Sequence, residues 1–201
     1  EDKKVDTSKV YDCKGGEITY FKRKVRDTKK GGYGKISLAR GFELSSNTVM
    51  VQAVYDNYKD NPEKFVNRLY NMGLNEPLGL EIKGEGKPKI PHPSDKDWYG
   101  TTLPWMAFGY GVHMTPLQTL AFYNAIANDG KMIKPKFIKE VNEWGKTIQR
   151  IDDPANFSIC SKETALIAQD LLAQAVSDGT ASNIKSPILS MAGKTGTCQV
   201  N

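Results

Sequence analysis

The run from Thr115 to Gly130 constrains the fold more than any other stretch of these 201 residues. Thr115 can accept a hydrogen bond from the first turn, and Pro116 suits the first helical position. Gln118 stands where a side chain reaches back to the cap, completing a capping box. Asn128-Asp129-Gly130 closes the segment with residues that tolerate left-handed backbone. Between these ends Leu117, Leu120, Ala121, Ala125 and Ile126 recur at helical spacing. The result is a helix with one apolar face, which the rest of the chain has to cover.

The same logic locates its partners. Asn61-Pro62-Glu63 opens a helix that turns Phe65, Val66, Leu69 and Met72 inward and stops at Gly73. Ser161 caps a helix from about Lys162 to Ser177, with Ala165, Leu166, Ala168, Leu172 and Val176 as its buried stripe. Ile36 to Leu44 reads as a short helix running into Ser45-Ser46-Asn47, and a second helix starts there and continues to about Tyr58. Its apolar face carries Val49, Met50, Ala53 and Val54. Residues 74–114 hold five prolines and no sustained period, which predicts a long irregular segment, functional or wrapped over a neighbour. Ile138 to Ile151 alternates around Asn142-Glu143-Trp144-Gly145 and predicts a small hairpin. Residues 1–35 are polar, and Gly31-Gly32-Tyr33-Gly34 reads as a flexible connection. Ile188 to Met191 leads into a strand through Lys194.

Charge and cysteines narrow the function classes. The net charge is +5, and residues 1–35 hold 11 Lys/Arg against 6 Asp/Glu, so the whole excess lies there. Acidic residues interrupt that run and no nucleic-acid motif accompanies it, so it reads as a solvated basic surface with no nucleic-acid partner. Cys13, Cys160 and Cys198 are too few and scattered for a zinc site or a disulfide framework, and one bridge stays possible. His92 and His113 lack metal-ligand spacing, so no metal and no cofactor are expected. No run of 18 apolar residues crosses a membrane. Opening on Glu1-Asp2-Lys3-Lys4, the chain reads as part of something longer.

The chemistry-bearing stretch is Ala192-Gly193-Lys194-Thr195-Gly196-Thr197. On an extended segment Lys194 and Gly196 share one face and Thr195 and Thr197 the other. A cation, hydroxyls and a backbone left open by Gly196 suit an anionic, extended ligand. Ser45-x-Asn47 precedes Lys194-Thr195-Gly196 by 149 residues, counted first position to first position. Alone each triplet is weak, and Ser45 and Asn47 could be plain helix caps.

Together, in this order, they are two of the three motifs of the serine penicillin-recognising enzymes, Ser-x-x-Lys, Ser-x-Asn and Lys-Thr-Gly. Phe108 to Gln118, the Ala127-Asn128-Asp129-Gly130 end of the next helix, and Asp178-Gly179-Thr180-Ala181 also resemble class B penicillin-binding proteins. Asp27 and Gly34 sit where that family has an acidic residue and a glycine, so the resemblance covers roughly residues 10–201. Gly109-Tyr110-Gly111 resembles the division-type form. The implied fold is a mainly α fragment of the α+β penicillin-binding protein and β-lactamase-like transpeptidase fold, with a small hairpin and the Lys-Thr-Gly strand.

The resemblance implies a partial transpeptidase domain over residues 1–201 of a membrane-anchored parent at the extracytoplasmic face of a bacterial inner membrane. The implied activity is D,D-transpeptidation of peptidoglycan stem peptides, with β-lactams as inhibitors and other cell-wall or division proteins as partners. Ser45 would relay a proton, Asn47 would hold the catalytic lysine and the substrate amide, and Lys194 would set a positive field. Thr195 and Thr197 would bind the substrate carboxylate and Gly196 would let the substrate lie against the backbone, with the Thr197 N–H as an oxyanion donor. The pattern departs at one point. The nucleophile serine belongs some fifty residues before Ser45, and there is no room for it; nor are the last strands of the sheet present. The only literal Ser-x-x-Lys, Ser182 to Lys185, reads as a chance match in a loop. The fragment is therefore expected to be inactive. A penicillin-sensing receptor and a β-lactamase are the alternatives, and Glu63-x-x-x-Asn67 imitates the deacylation motif of the latter as a decoy.

Overall fold

The computed structural model describes residues 2, 5–81, 83–151 and 157–196. The site is carried by three helices, α1 (Leu38–Glu43), α2 (Asn47–Tyr58) and α6 (Lys162–Ser177), with α1 packed on both of the others. Gly41 allows the close crossing of α1 and α2, because a Cβ there would lie 2.5 Å from Val49 Cγ1. The capped helix of the sequence is α5 (Pro116–Ala127), with its capping box formed. It ends where Gly130 N donates to Ala125 O at 2.8 Å, and a Cβ on Gly130 would lie 2.4 Å from Cys160 O. Ala121, Ala125 and Ile126 of α5 share a core with Leu172 of α6 and Met132.

Helix α3 (Pro62–Asn71) starts on the Asn61 cap and gives way at Met72. Residues 74–114 wrap over it, so that Ile90 and Met106 are buried with Val66 and Leu74. Among its described residues this segment contains one short helix, α4 (Thr102–Met106), and a single bridge between Lys89 and His113. The Glu85 carboxylate organises its start by accepting from the backbone N–H of Leu78, Gly79 and Leu80 at 2.5, 3.0 and 2.9 Å.

The strands form four two-stranded sheets among the described residues. β1 (Val10–Asp12) pairs antiparallel with β4 (Lys35–Ser37), and β2 (Glu17–Tyr20) with β3 (Arg23–Arg26). β5 (Lys131–Met132) pairs with β8 (Phe157–Ser158). The predicted hairpin is β6 (Glu140–Glu143) and β7 (Lys146–Arg150), turning at Trp144 and Gly145 with φ of 49° and 78°. Two positive φ angles are what a two-residue turn of primed type demands.

Three expectations are corrected. The Gly31-Gly32-Tyr33-Gly34 cluster is not a flexible connection. Tyr11 and Cys13 are buried against Val49 and Ala53, and the glycine cluster is a contact, with Gly32 so near Gly16 that a Cβ would lie 2.4 Å from its nitrogen. Strands of three or four residues are too short to show an alternating pattern. The predicted helix over Ile36–Leu44 begins only at Leu38, because Ile36 is paired with Tyr11 and the Ser37 hydroxyl caps the helix by accepting from Arg40 N at 3.1 Å. The predicted strand through Lys194 does not form among the described residues. Gly193 N donates to Leu172 O of α6 at 3.1 Å, and a strand needs a neighbouring strand to exist.

Candidate active site

Ser45 lies in the link between α1 and α2 with φ of +52°, a left-handed conformation uncommon outside glycine. Its backbone N–H donates to Phe42 O at 3.1 Å, which closes the end of α1. The next residue, Ser46, is the cap of α2 and accepts from Val49 N at 3.3 Å. These two local demands, a tight turn and a cap, leave the Ser45 hydroxyl pointing away from the core.

Asp27 fixes the start of α2. Its buried carboxylate accepts from Ser46 Oγ at 3.1 Å, from Thr48 N at 3.0 Å and from Thr48 Oγ1 at 2.8 Å. A carboxylate at a helix N-terminus also meets the positive end of the helix dipole. Asn47, the first residue of α2, donates from Nδ2 to Arg26 O at 2.8 Å. A carbonyl only accepts, so this bond sets which way the amide faces and leaves its oxygen available to a ligand.

Lys194 Nζ hydrogen-bonds to Ser45 Oγ and also donates to Thr195 O at 3.3 Å. It lies 5.6 Å from the centre of the Phe42 ring. Half-buried there, its ammonium is pushed below the usual lysine pKa by desolvation. Thr195 Oγ1 is 3.4 Å from Ser45 Oγ and 2.7 Å from Thr180 Oγ1, and Thr180 Oγ1 is 3.1 Å from Ser45 Oγ. Gly196 is exposed, with nothing within 4 Å of the place a Cβ would take. Thr197 lies outside the described residues.

The structure thus brings Ser45, Lys194 and Thr195 together, with Asn47 at the adjoining helix start and Gly196 open beside them. Thr180 joins them and was missed as a site residue; the only sequence signal was its Asp-Gly-Thr-Ala context. The turn that carries it is tied to α1. Thr180 N donates to Glu43 O at 3.0 Å, and Arg40 Nη1 donates to Glu43 Oε2 at 2.5 Å and to Asp178 O at 3.1 Å.

Neither decoy enters the cluster. Lys185 Nζ donates to Ser177 O at 3.3 Å, and no bond between side chains joins Lys185 to Ser182 among the described residues. Glu63 and Asn67 bond each other at 3.4 Å on α3 and line an open polar hollow with Asn61 and Arg68. A second, more apolar groove of about 510 Å³ runs between α1, α2 and α6, lined by Leu38, Phe42, Met50, Val54 and Ile167. Phe42 is common to this groove and to the Lys194 contact.

A half-buried lysine on a serine hydroxyl, flanked by two threonine hydroxyls and an unobstructed glycine, is equipment for moving a proton beside a bound anion. The fold is that of a transpeptidase domain. Residues 1–201 match the family described as penicillin binding protein transpeptidase domain. Similar proteins include penicillin-binding protein PbpB of Mycobacterium tuberculosis, 32% identical over 145 residues that make up 69% of this chain and 21% of that protein. Stage V sporulation protein D of Bacillus subtilis is 27% identical over 99% of this chain and 30% of its own length. Peptidoglycan D,D-transpeptidase MrdA of Escherichia coli is 27% identical over 69% of this chain and 23% of its own length.

Among solved structures, penicillin binding protein 3 from M. tuberculosis superposes with a TM-score of 0.81 at 29% identity, over 92% of this chain and 42% of that one. The D,D-transpeptidase domain of a peptidoglycan glycosyltransferase from Eggerthella lenta does so with 0.83 at 26%, over all of this chain and 51% of that one. The chain belongs to the penicillin binding protein transpeptidase domain family, as a class B member. It spans under a third of the length of these curated relatives.

Proposed function

We propose that this chain is one wall of the active-site cleft of a peptidoglycan D,D-transpeptidase, acting by acyl transfer through a serine. The observation that carries the reading is the Lys194–Ser45 hydrogen bond with Thr195 beside it, made between two motifs 149 residues apart. In the reaction a serine hydroxyl attacks the D-Ala-D-Ala peptide carbonyl, D-Ala leaves as an amine, and a second stem's amine takes the acyl group. The leaving nitrogen needs a proton, which Ser45 is placed to relay under the control of Lys194. Asn47 offers its free amide oxygen to the substrate or to the catalytic lysine. Thr195 and Thr197 bind the terminal carboxylate, and Gly196 lets the substrate backbone lie close.

No Ser-x-x-Lys in residues 1–201 reaches this cluster, so the nucleophile comes from elsewhere in the full-length protein. The apolar groove bordered by Phe42 is the space next to Lys194 for the segment that carries it. Lacking that segment, these 201 residues are inactive by themselves. Penicillin binding protein 3 of M. tuberculosis has been solved with aztreonam and with ampicillin, and we infer that this protein takes β-lactams at the same cleft. The division-type assignment rests on Gly109-Tyr110-Gly111, and the site would face the extracytoplasmic side of a membrane that anchors the parent. No helix among the described residues is long and apolar enough to provide that anchor.

The test is turnover. Full-length protein given a stem peptide ending in D-Ala-D-Ala should release D-Ala, and Ser45→Ala should slow that release by roughly 10²–10⁴-fold, the usual worth of a positioned proton donor. Release at the same rate with and without the Ser45 hydroxyl would refute the role given to the site.

A further inference from the structure

We propose that Thr180 is a positioning residue of this site, joining the hydroxyls of Ser45 and Thr195 into one donor chain that starts at Lys194. The proposal rests on the transpeptidase reading above. Each hydroxyl has one proton to donate and two lone pairs with which to accept, whereas a lysine ammonium only donates. Lys194 donates to Ser45 Oγ, so the Ser45 proton has to find another acceptor. Thr180 Oγ1 at 3.1 Å and Thr195 Oγ1 at 3.4 Å are the two hydroxyl oxygens bonded to it. Hydroxyl hydrogen bonds favour about 2.7–2.8 Å and weaken with length, so Thr180 is the better acceptor. The Thr180 proton then has Thr195 Oγ1 at 2.7 Å.

The resulting order, Lys194 to Ser45 to Thr180 to Thr195, leaves the Thr195 proton with no further acceptor among the described residues. It lies next to Gly196, where no side chain obstructs an anionic ligand. Without the Thr180 hydroxyl, the Ser45 proton turns to Thr195 across the longer gap. The Ser45 hydroxyl then changes direction, although Ser45 itself has not been altered.

The backbone supports this role. Thr180 N bonds Glu43 O, two residues before Ser45. Gly179 fits against the same carbonyl only because it has no side chain, since a Cβ would lie 2.5 Å from Glu43 O. Arg40 spans Glu43 and Asp178, so the spacing of Ser45 and Thr180 is set by a braced turn. The hydroxyl of Thr180 itself spends its hydrogen bonds on the two site hydroxyls and on no backbone group among the described residues.

The experiment uses the full-length protein and resolves benzylpenicillin acylation into a non-covalent binding constant and an acylation rate constant. Thr180→Val keeps the shape and removes the hydroxyl; Thr180→Ser keeps the hydroxyl. The valine variant should lower the acylation rate constant roughly tenfold, the worth of one well-placed hydrogen bond, with an unchanged melting temperature and an unchanged binding constant. The serine variant should restore the rate. If the valine variant melts early, Thr180→Cys, similar in size with a weak donor, should show the same loss. A valine or cysteine variant as fast as wild type, or a serine variant as slow as valine, overturns the role of Thr180. Wild-type protein that takes up no penicillin overturns the transpeptidase reading instead.

Discussion

Lys194 donates a hydrogen bond to Ser45 although 149 residues separate them, and the lysine is half-buried where it does so. α1 and α2 place Ser45, while α6 and the turn after it bring the chain back to Lys194.

Burial at Lys194 has a signed consequence. A base whose folded pKa lies below its unfolded value binds fewer protons folded than unfolded, in the pH window between the two. Stability contributed by this group therefore rises as pH climbs from the depressed value towards 10.5. Lys194→Met should remove that rise, seen as a flatter dependence of the urea midpoint on the alkaline approach to pH 10.5. In the full-length protein it should also lower acylation by roughly 10²-fold or more.

Asp27 is the anchor beneath the site. Asp27→Ala would leave the Ser46 and Thr48 hydroxyls and the Thr48 N–H buried without their acceptor. The expected cost is about 3 kcal/mol in denaturant unfolding, since each such donor left unsatisfied costs about 1–3 kcal/mol and partial relaxation recovers some. Asp27→Asn should cost less, because its amide oxygen still accepts.

Gly41 is a packing glycine. Gly41→Ala puts a methyl 2.5 Å from Val49 Cγ1 and should destabilise by about 1–3 kcal/mol, the usual cost of overpacking a core. Pairing it with Val49→Ala should recover part of the loss, which a thermal melt of the double variant reads directly.

The helices were legible because their caps are chemical. Asn61, Thr115 and Ser161 each accept from the backbone as their positions require. What escaped was decided by tertiary neighbours. Leu120 and Leu166, placed by period on buried faces, are 62% and 50% exposed, because a helix period shows which face is apolar and not which edge of that face is covered. Tyr11 and Val25 are core residues in strands too short to show a pattern, and Cys13 is a core residue just past the end of one. Lys194 was recognisable by its motif and Ser45 by its distance from it. Thr180 was not, because a threonine in a turn carries no local sign of the hydroxyls it will meet.

The central claim is that the site is a transpeptidase wall whose nucleophile lies outside these residues. Fluorescent penicillin, applied to the 201-residue chain and to the full-length protein and followed by denaturing electrophoresis, tests it most directly. The account predicts a covalent label on the full-length protein and none on the 201 residues. Label on the 201 residues would contradict the claim and turn attention to Ser182, and absence of label on the full-length protein would contradict the function proposed.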